Sequence, residues 1–411
     1  FALCGYYDRR QDSAVAGHTL APWERHVMST HSPVAWAENA RGLGVVLAHG
    51  SADGPARARA LQRRLAELGH NATVELYKTG HDVWTEAYRG GRAFKILRRF
   101  RRGARPRHVT FVTGRPRVRR GHWVRVDAQR SYHRWARVDA RIVNPTRAVV
   151  ATDNVNALRL DLPEPYLDHK AAVELKIDRS QLKIPPPRSR WVRRVRLVRR
   201  GGAWETRAAD PALPTTPIKR PGLSGPMEDI YFDPILVVYG TRNGAGARLR
   251  RAARRLSRYR KRVDLRYPVV SDRAYRPRMA RNRSVVLVGT ETDNAVLARI
   301  GPRLPIRVRT DRVELGGRTL RGKDLGATFI YPNPDSPRWY VRVVAGTSAG
   351  AYRLVHRRLP EYLPDYAIFD HTLGAAKNSK ILTDKRRFLA AGHFDRNWKL
   401  PAPQPSSAPT R

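Results

Sequence analysis

"GVVLAHGSADGPARARALQRRLAELGHNATVELYKTGHDVW" runs from Gly44 to Trp84. Its first residues, Gly44 to His49, form an unbroken apolar run, the pattern of a strand buried on both faces. "GPARARALQRRLAELGH" then places Ala58, Leu61, Leu65 and Leu68 on one helical face, with Gly69 as the stop. "NATVELYK" is the next strand. Strand, helix and strand in this order predict a βαβ unit. Asp53 closes the turn after the first strand, and His81 lies on the loop after the second, roughly thirty residues on.

The same alternation extends over residues 1–102. "FALCGYYD" at the start reads as a core strand. "VWTEAYRGGRAFKILRRF" reads as the closing helix, with Trp84, Tyr88 and Phe94 through Phe100 on its inner side. The Gly90-Gly91 pair is its weak point. Over 106–200 the period changes to two. "RHVTFVTG", "HWVRVDA", "WARVDARIV", "AVVATDN", "ALRLDL", "AVELKID" and "WVRRVRLV" are short runs rich in Val and aromatics. They predict an all-β, sandwich-like module. Residues 201–226 read as a connector. Residues 227–400 alternate again, with "PILVVYG", "RSVVLVG", "ATFIYPN" and "WYVRVVAG" as strands, and predict a second α/β domain with a largely parallel sheet. Residues 401–411, "PAPQPSSAPTR", have the composition of a disordered tail.

Asp53 followed by His81 is the acid–base spacing of an α/β-hydrolase. In such a pair the carboxylate holds the imidazole in one tautomer, and the imidazole takes the proton from a nucleophile. The stretch from His49 to Trp84 resembles the C-terminal end of the prolyl-oligopeptidase-type catalytic domain, and secreted esterases of the feruloyl-esterase kind share these pieces. "FALCGYYD" resembles the strand after the nucleophile helix in those proteins, and "SPVAWAENARG" the segment before the acid strand. The resemblance covers about a quarter of the chain. It implies that residues 1–102 are the C-terminal half of an α/β-hydrolase domain, with Asp53 as triad acid and His81 as base. It further implies a peptide or ester substrate, acyl-serine chemistry and no cofactor. Asp82 adjoins His81, but neighbouring side chains on an extended loop diverge, which favours Asp53. The superfamily order is Ser, Asp, His, so the serine is expected before Phe1, and these residues alone are expected to be inactive.

A G-x-S-x-G stretch does occur, at Gly346-Thr347-Ser348-Ala349-Gly350. It is also the third copy of an apolar strand, Gly-Thr and helix, after Gly240-Thr241 and Gly289-Thr290. Gly permits a tight turn and Thr can cap a helix, so the repeat has a structural cause without a nucleophile. Asp365, Asp370, His371 and His393 follow in a formally correct order for a second triad. "GTRNGAGARLRR", with Arg242 and Arg248, is a weak candidate for anion binding at a helix start.

The chain of 411 residues carries a net charge of +45, and its Arg residues are spread along nearly the whole length. A basic solvated surface accounts for this. The alternative is a noncatalytic protein that binds nucleic acid or another polyanion. "VRVDAQRSYHRWARVDARI" interleaves Arg with aromatics, as nucleic-acid platforms do, and as half of a solvent-facing sheet does. Cys4 is the single cysteine, so an intramolecular disulfide is excluded. His18, His26 and His31 are too loosely spaced for a metal motif. Ser13 and Ser51 lack an elbow frame. No apolar run reaches the ~18 residues of a membrane span.

Overall fold

The computed structural model describes residues 1–11, 15, 19–101, 103, 105–187, 193–209, 216–260, 263–357, 359, 362–374 and 388–401. Ser13, His18 and residues 402–411 of the expected tail lie outside them. The chain divides into two compact units, Phe1–Ala212 and Leu213–Arg411.

In the first unit, β1 (Ala2–Leu3), α1 (Pro22–Thr30), β2 (Val45–Gly50), α2 (Ala56–Glu67) and β3 (Ala72–Tyr77) follow one another. β1, β2 and β3 form a parallel sheet in that order. Ala58, Leu61 and Leu65 of α2 are buried with Leu47, Ala37 and Tyr7. Each leucine so covered contributes about 2 kcal/mol.

The single closing helix expected after β3 is instead two short ones, α3 (Trp84–Tyr88) and α4 (Arg92–Leu97). Gly90 and Gly91 separate them at φ 56° and 72°, a left-handed bend that glycine adopts without strain. The bend changes which face is covered. Val83, Ala87 and Ala93 are buried, whereas Trp84, Tyr88, Phe94, Leu97 and Phe100 are exposed, Phe94 by 57%. The inner side expected of these aromatics is therefore corrected.

Ten strands follow: β4 (His108–Thr113), β5 (Arg120–Gly121), β6 (Val124–Gln129), β7 (Ala136–Asn144), β8 (Arg147–Asp153), β9 (Val155–Leu162), β10 (Val173–Ile177), β11 (Ser180–Ile184), β12 (Arg193–Arg200) and β13 (Ala203–Thr206). They make two five-stranded sheets, β11-β10-β8-β7-β4 and β13-β12-β9-β6-β5. All pairings are antiparallel except β8 with β10. Period-two alternation is visible in β10, where Val173, Leu175 and Ile177 are buried and Glu174 and Lys176 exposed. The inward residues of both sheets form one core. The Asn39 side chain ties this module to the first sheet's helical layer by bonding both Val112 N–H and Val112 C=O, at 2.8 and 2.9 Å.

The second unit contains β14 (Ile235–Tyr239), α5 (Gly246–Leu256), β15 (Arg258–Arg260), β16 (Val263–Arg266), β17 (Val269–Ser271), β18 (Ser284–Val288), α6 (Ala295–Ile300), β19 (Ile306–Val308), β20 (Val313–Leu315), β21 (Arg318–Leu320), β22 (Gly326–Asn333), β23 (Ser336–Gly346), α7 (Ala349–Arg357), β24 (Tyr366–Phe369) and β25 (Ala390–Gly392). Its main sheet has the order β17-β14-β18-β23-β22-β24-β25. Pairing is parallel from β17 to β23 and antiparallel from β23 to β25. The expectation of a largely parallel sheet is thus corrected to a mixed one. The cause is local: β22 and β23 join through a tight turn, with Asn333 paired to Ser336, and so short a connection permits only antiparallel strands.

The connector expected over 201–226 is partly structured at both ends. Ala203–Thr206 is an edge strand of the sandwich. Lys219 and Leu223 are buried at 1% exposure in the second unit.

Candidate active site

Asp53 and His81 are brought together by the βαβ unit. β2 and β3 are adjacent and parallel, so their carboxyl ends emerge side by side, about 4.8 Å apart. The pairing continues beyond the strands, with Ser51 N–H donating to Tyr77 C=O at 2.8 Å and Ala52 N–H to Thr79 C=O at 3.2 Å. Gly50 is required there, because a Cβ at this position would stand 1.9 Å from the Gly80 carbonyl oxygen. The Asp53 N–H closes a turn on Gly50 C=O at 3.1 Å.

His81 Nδ1 lies 2.8 Å from Asp53 Oδ2. The imidazole is 68% exposed and the carboxylate 30%. The Trp84 ring stands edge-on to the imidazole, with the ring centres 5.7 Å apart. His81 Nε2 makes no hydrogen bond among the described residues, and no described serine bonds it. The bond from His81 holds the Asp53 carboxyl below the usual range. Burial opposes this shift, while the charge of His81 and His49 and a bond from Cys4 reinforce it. Asp82 is exposed and does not bond His81.

Sequence reasoning missed two members of this cluster. His49, fully buried at the end of β2, has Nδ1 3.2 Å from Gly50 C=O. Cys4, just after β1, reaches Asp53 from the neighbouring strand, and burial pushes its thiol above the ordinary value. The visible signal was that both follow apolar runs of one sheet. The donor atoms of Cys4, His49 and Asp53 lie within 4.8 Å of one another. Asp53 Oδ2 is committed to His81. The trio fits a hydrogen-bonded support behind the acid better than a metal centre.

Ser348 occupies a different setting. Its hydroxyl donates to an Asp324 carboxylate oxygen and accepts the Ala351 N–H at 3.2 Å, capping α7. Asp365 and His393 bond each other at 3.2 Å, and Asp365 also bonds Lys219. Asp370 accepts from Thr372, and His371 bonds Lys323 C=O. These four residues and Ser348 do not assemble as a triad. The threonines of the repeated turns do not cap the helices that follow, although Thr290 accepts the Asp293 N–H at 3.3 Å within its own turn. Thr241 donates to Asp272 at 2.6 Å, Thr290 to Asp293 at 2.9 Å and Thr347 to Leu325 C=O at 3.1 Å. Asn294 caps α6, one position from which the repeat gave no signal.

His31 and the Arg-aromatic stretch over 124–142 have structural partners. His31 bonds Val27 C=O and Arg115. Trp135 packs against Trp36 at 4.8 Å, and Arg125 and Arg137 pair with Asp127 and Glu38 at 2.6 Å.

No protein family matches the sequence, and neither a curated protein nor a solved structure shows significant similarity to the chain.

Proposed function

We propose that Asp53 and His81 are the acid and base of a serine hydrolase of the prolyl-oligopeptidase type. The substrate is a peptide or an ester. The observation that carries this reading is the 2.8 Å Nδ1 to Oδ2 bond with His81 Nε2 left to face solvent. That is the arrangement in which a carboxylate fixes the tautomer and the second nitrogen receives a proton. The nucleophile is a serine outside the described residues.

In the reaction the serine Oγ attacks the substrate carbonyl carbon as its proton passes to His81 Nε2. The imidazolium, stabilised by Asp53, then protonates the departing amine or alkoxide. Water repeats the sequence on the acyl-serine, returning the acid and restoring the neutral imidazole. No cofactor is called for.

The test is fluorophosphonate labelling of a longer product of the same gene. Labelling is expected at an elbow serine and to fall to background in His81→Ala. Asp53→Asn should slow it by up to about 10⁴, the cost of the wrong tautomer. Full labelling of His81→Ala, or a longer product without an elbow serine, overturns the reading.

A further inference from the structure

The second unit carries an unneutralised arginine cluster with the form of a ligand site. α5 packs over β14, β17 and β18 and lies beside α7. Arg248, Arg251 and Arg255 recur along α5 at intervals of three and four, which puts them on one stripe. With Ala252 of α5 and Ala349, Tyr352 and Arg353 of α7 they line an open cavity of about 220 Å³.

Other arginines of this unit have acids. Arg299 and Arg303 share Asp335, Arg307 and Arg309 share Glu291, and Arg312 pairs with Asp311 and Glu314. Among the described residues, Arg248, Arg251, Arg255 and Arg353 form no ion pair. Arg248 Nε is buried at the cavity without a hydrogen bond, and the Tyr352 hydroxyl is buried there with the Gly346 backbone beside it.

We propose that this cavity binds a chain of linked phosphates, as in inorganic polyphosphate or a nucleoside polyphosphate. Guanidinium forks grip phosphate oxygens in pairs, and each such bond is charge-assisted. Arg248 and Arg255 are separated by about 10 Å along the helix, more than one phosphate spans. A linked chain therefore satisfies the stripe where a single phosphate does not. Tyr352 supplies a neutral donor at the floor, and the alanines leave room for close approach.

The test is calorimetric titration of the full chain with sodium tripolyphosphate at fixed ionic strength. Arg251→Gln with Arg353→Gln should weaken binding at least about tenfold, the size of one lost charge-assisted contact. The control, Arg250→Gln with Arg254→Gln, removes the same charge from α5 outside the cavity and should change affinity less than about twofold. All four residues are exposed, so both variants should fold, which thermal melts check. ATP binding tighter than tripolyphosphate assigns the phosphates to a nucleotide, and equal binding assigns them to a bare chain; both support the site. Undetectable binding, or equal weakening in the two double variants, overturns it. So does a single-stranded oligonucleotide that binds more tightly and is weakened equally by both, because that describes diffuse basic charge. None of these outcomes depends on the hydrolase reading, since binding requires no serine.

Discussion

Lys219→Met should destabilise the second unit by up to about 4 kcal/mol at pH 7. Lys219 and Asp365 are both fully buried and their charged atoms meet at 2.5 Å. Asp365 further accepts the Phe394 N–H at 2.9 Å, and the ammonium lies 4.9 Å from the centre of the Trp398 ring. Met fills nearly the volume of Lys, so the substitution removes charge and little packing. Asp365 would then be a buried carboxylate without its ammonium, left with the Phe394 N–H and with His393 Nδ1 at 3.2 Å. A proton must be taken up by the carboxyl or by that imidazole, and at a carboxyl of ordinary pKa near 3.9 it costs about 4 kcal/mol at pH 7, which sets the ceiling. This ceiling agrees with the ~3–5 kcal/mol typical of breaking a buried pair from one side. Amide exchange of β24, which begins immediately after Asp365, reads the change directly. Exchange in the variant should be faster by up to about a thousandfold at pH 7, after correction for intrinsic rates. The pH dependence is the sharper check. A proton held by the folded variant and not by its unfolded chain stabilises at low pH and is lost as pH rises. The excess exchange should therefore shrink as pH falls from 7 to 5, by up to about tenfold per unit. An excess unchanged between those pH values would refute the account of Asp365 as a buried charge neutralised by Lys219.

Three further outcomes are expected. Ser348→Ala should cost about 0.5–2 kcal/mol through the lost cap of α7, measured by thermal melting, and leave fluorophosphonate labelling of the longer product unchanged. Gly50→Ala should cost about 1–3 kcal/mol, because the added methyl meets backbone at Gly80 and Thr79; an unshifted His81 imidazole spectrum in that variant would count against the turn as the device that sets the Asp53–His81 distance. Arg299, opposed by burial and helped by Arg303, holds the Asp335 carboxyl below its ordinary value, so the ion cluster stabilises above the unfolded carboxyl value near 3.9 and loses that stabilisation as pH falls through the folded value. Urea stability should accordingly fall more steeply between pH 5 and pH 3 in the wild type than in Asp335→Asn, and parallel profiles would contradict the assignment.

The sequence alone determined the order of layers and the Asp53–His81 spacing. Both follow from local quantities: the period of apolar residues, and a turn at the end of each of two neighbouring strands. α2 is legible for the same reason, since Ala58, Leu61 and Leu65 mark its buried face. Other features depended on partners distant in the chain. Gly90-Gly91 marked a weak point but not the direction of the bend, so the outward face of Trp84, Tyr88 and Phe94 had no local signature. Ser348 shares its motif with nucleophile elbows, and only the fold shows its hydroxyl accepting the Ala351 N–H and donating to Asp324, brought from another loop. Lys219 looks like any other lysine of a basic chain until Asp365, 146 residues away, is placed against it. Likewise the arginines of α5 resemble those around Asp335 in composition. Tertiary structure separates them, because it assigns acids to one group and leaves the other facing a cavity.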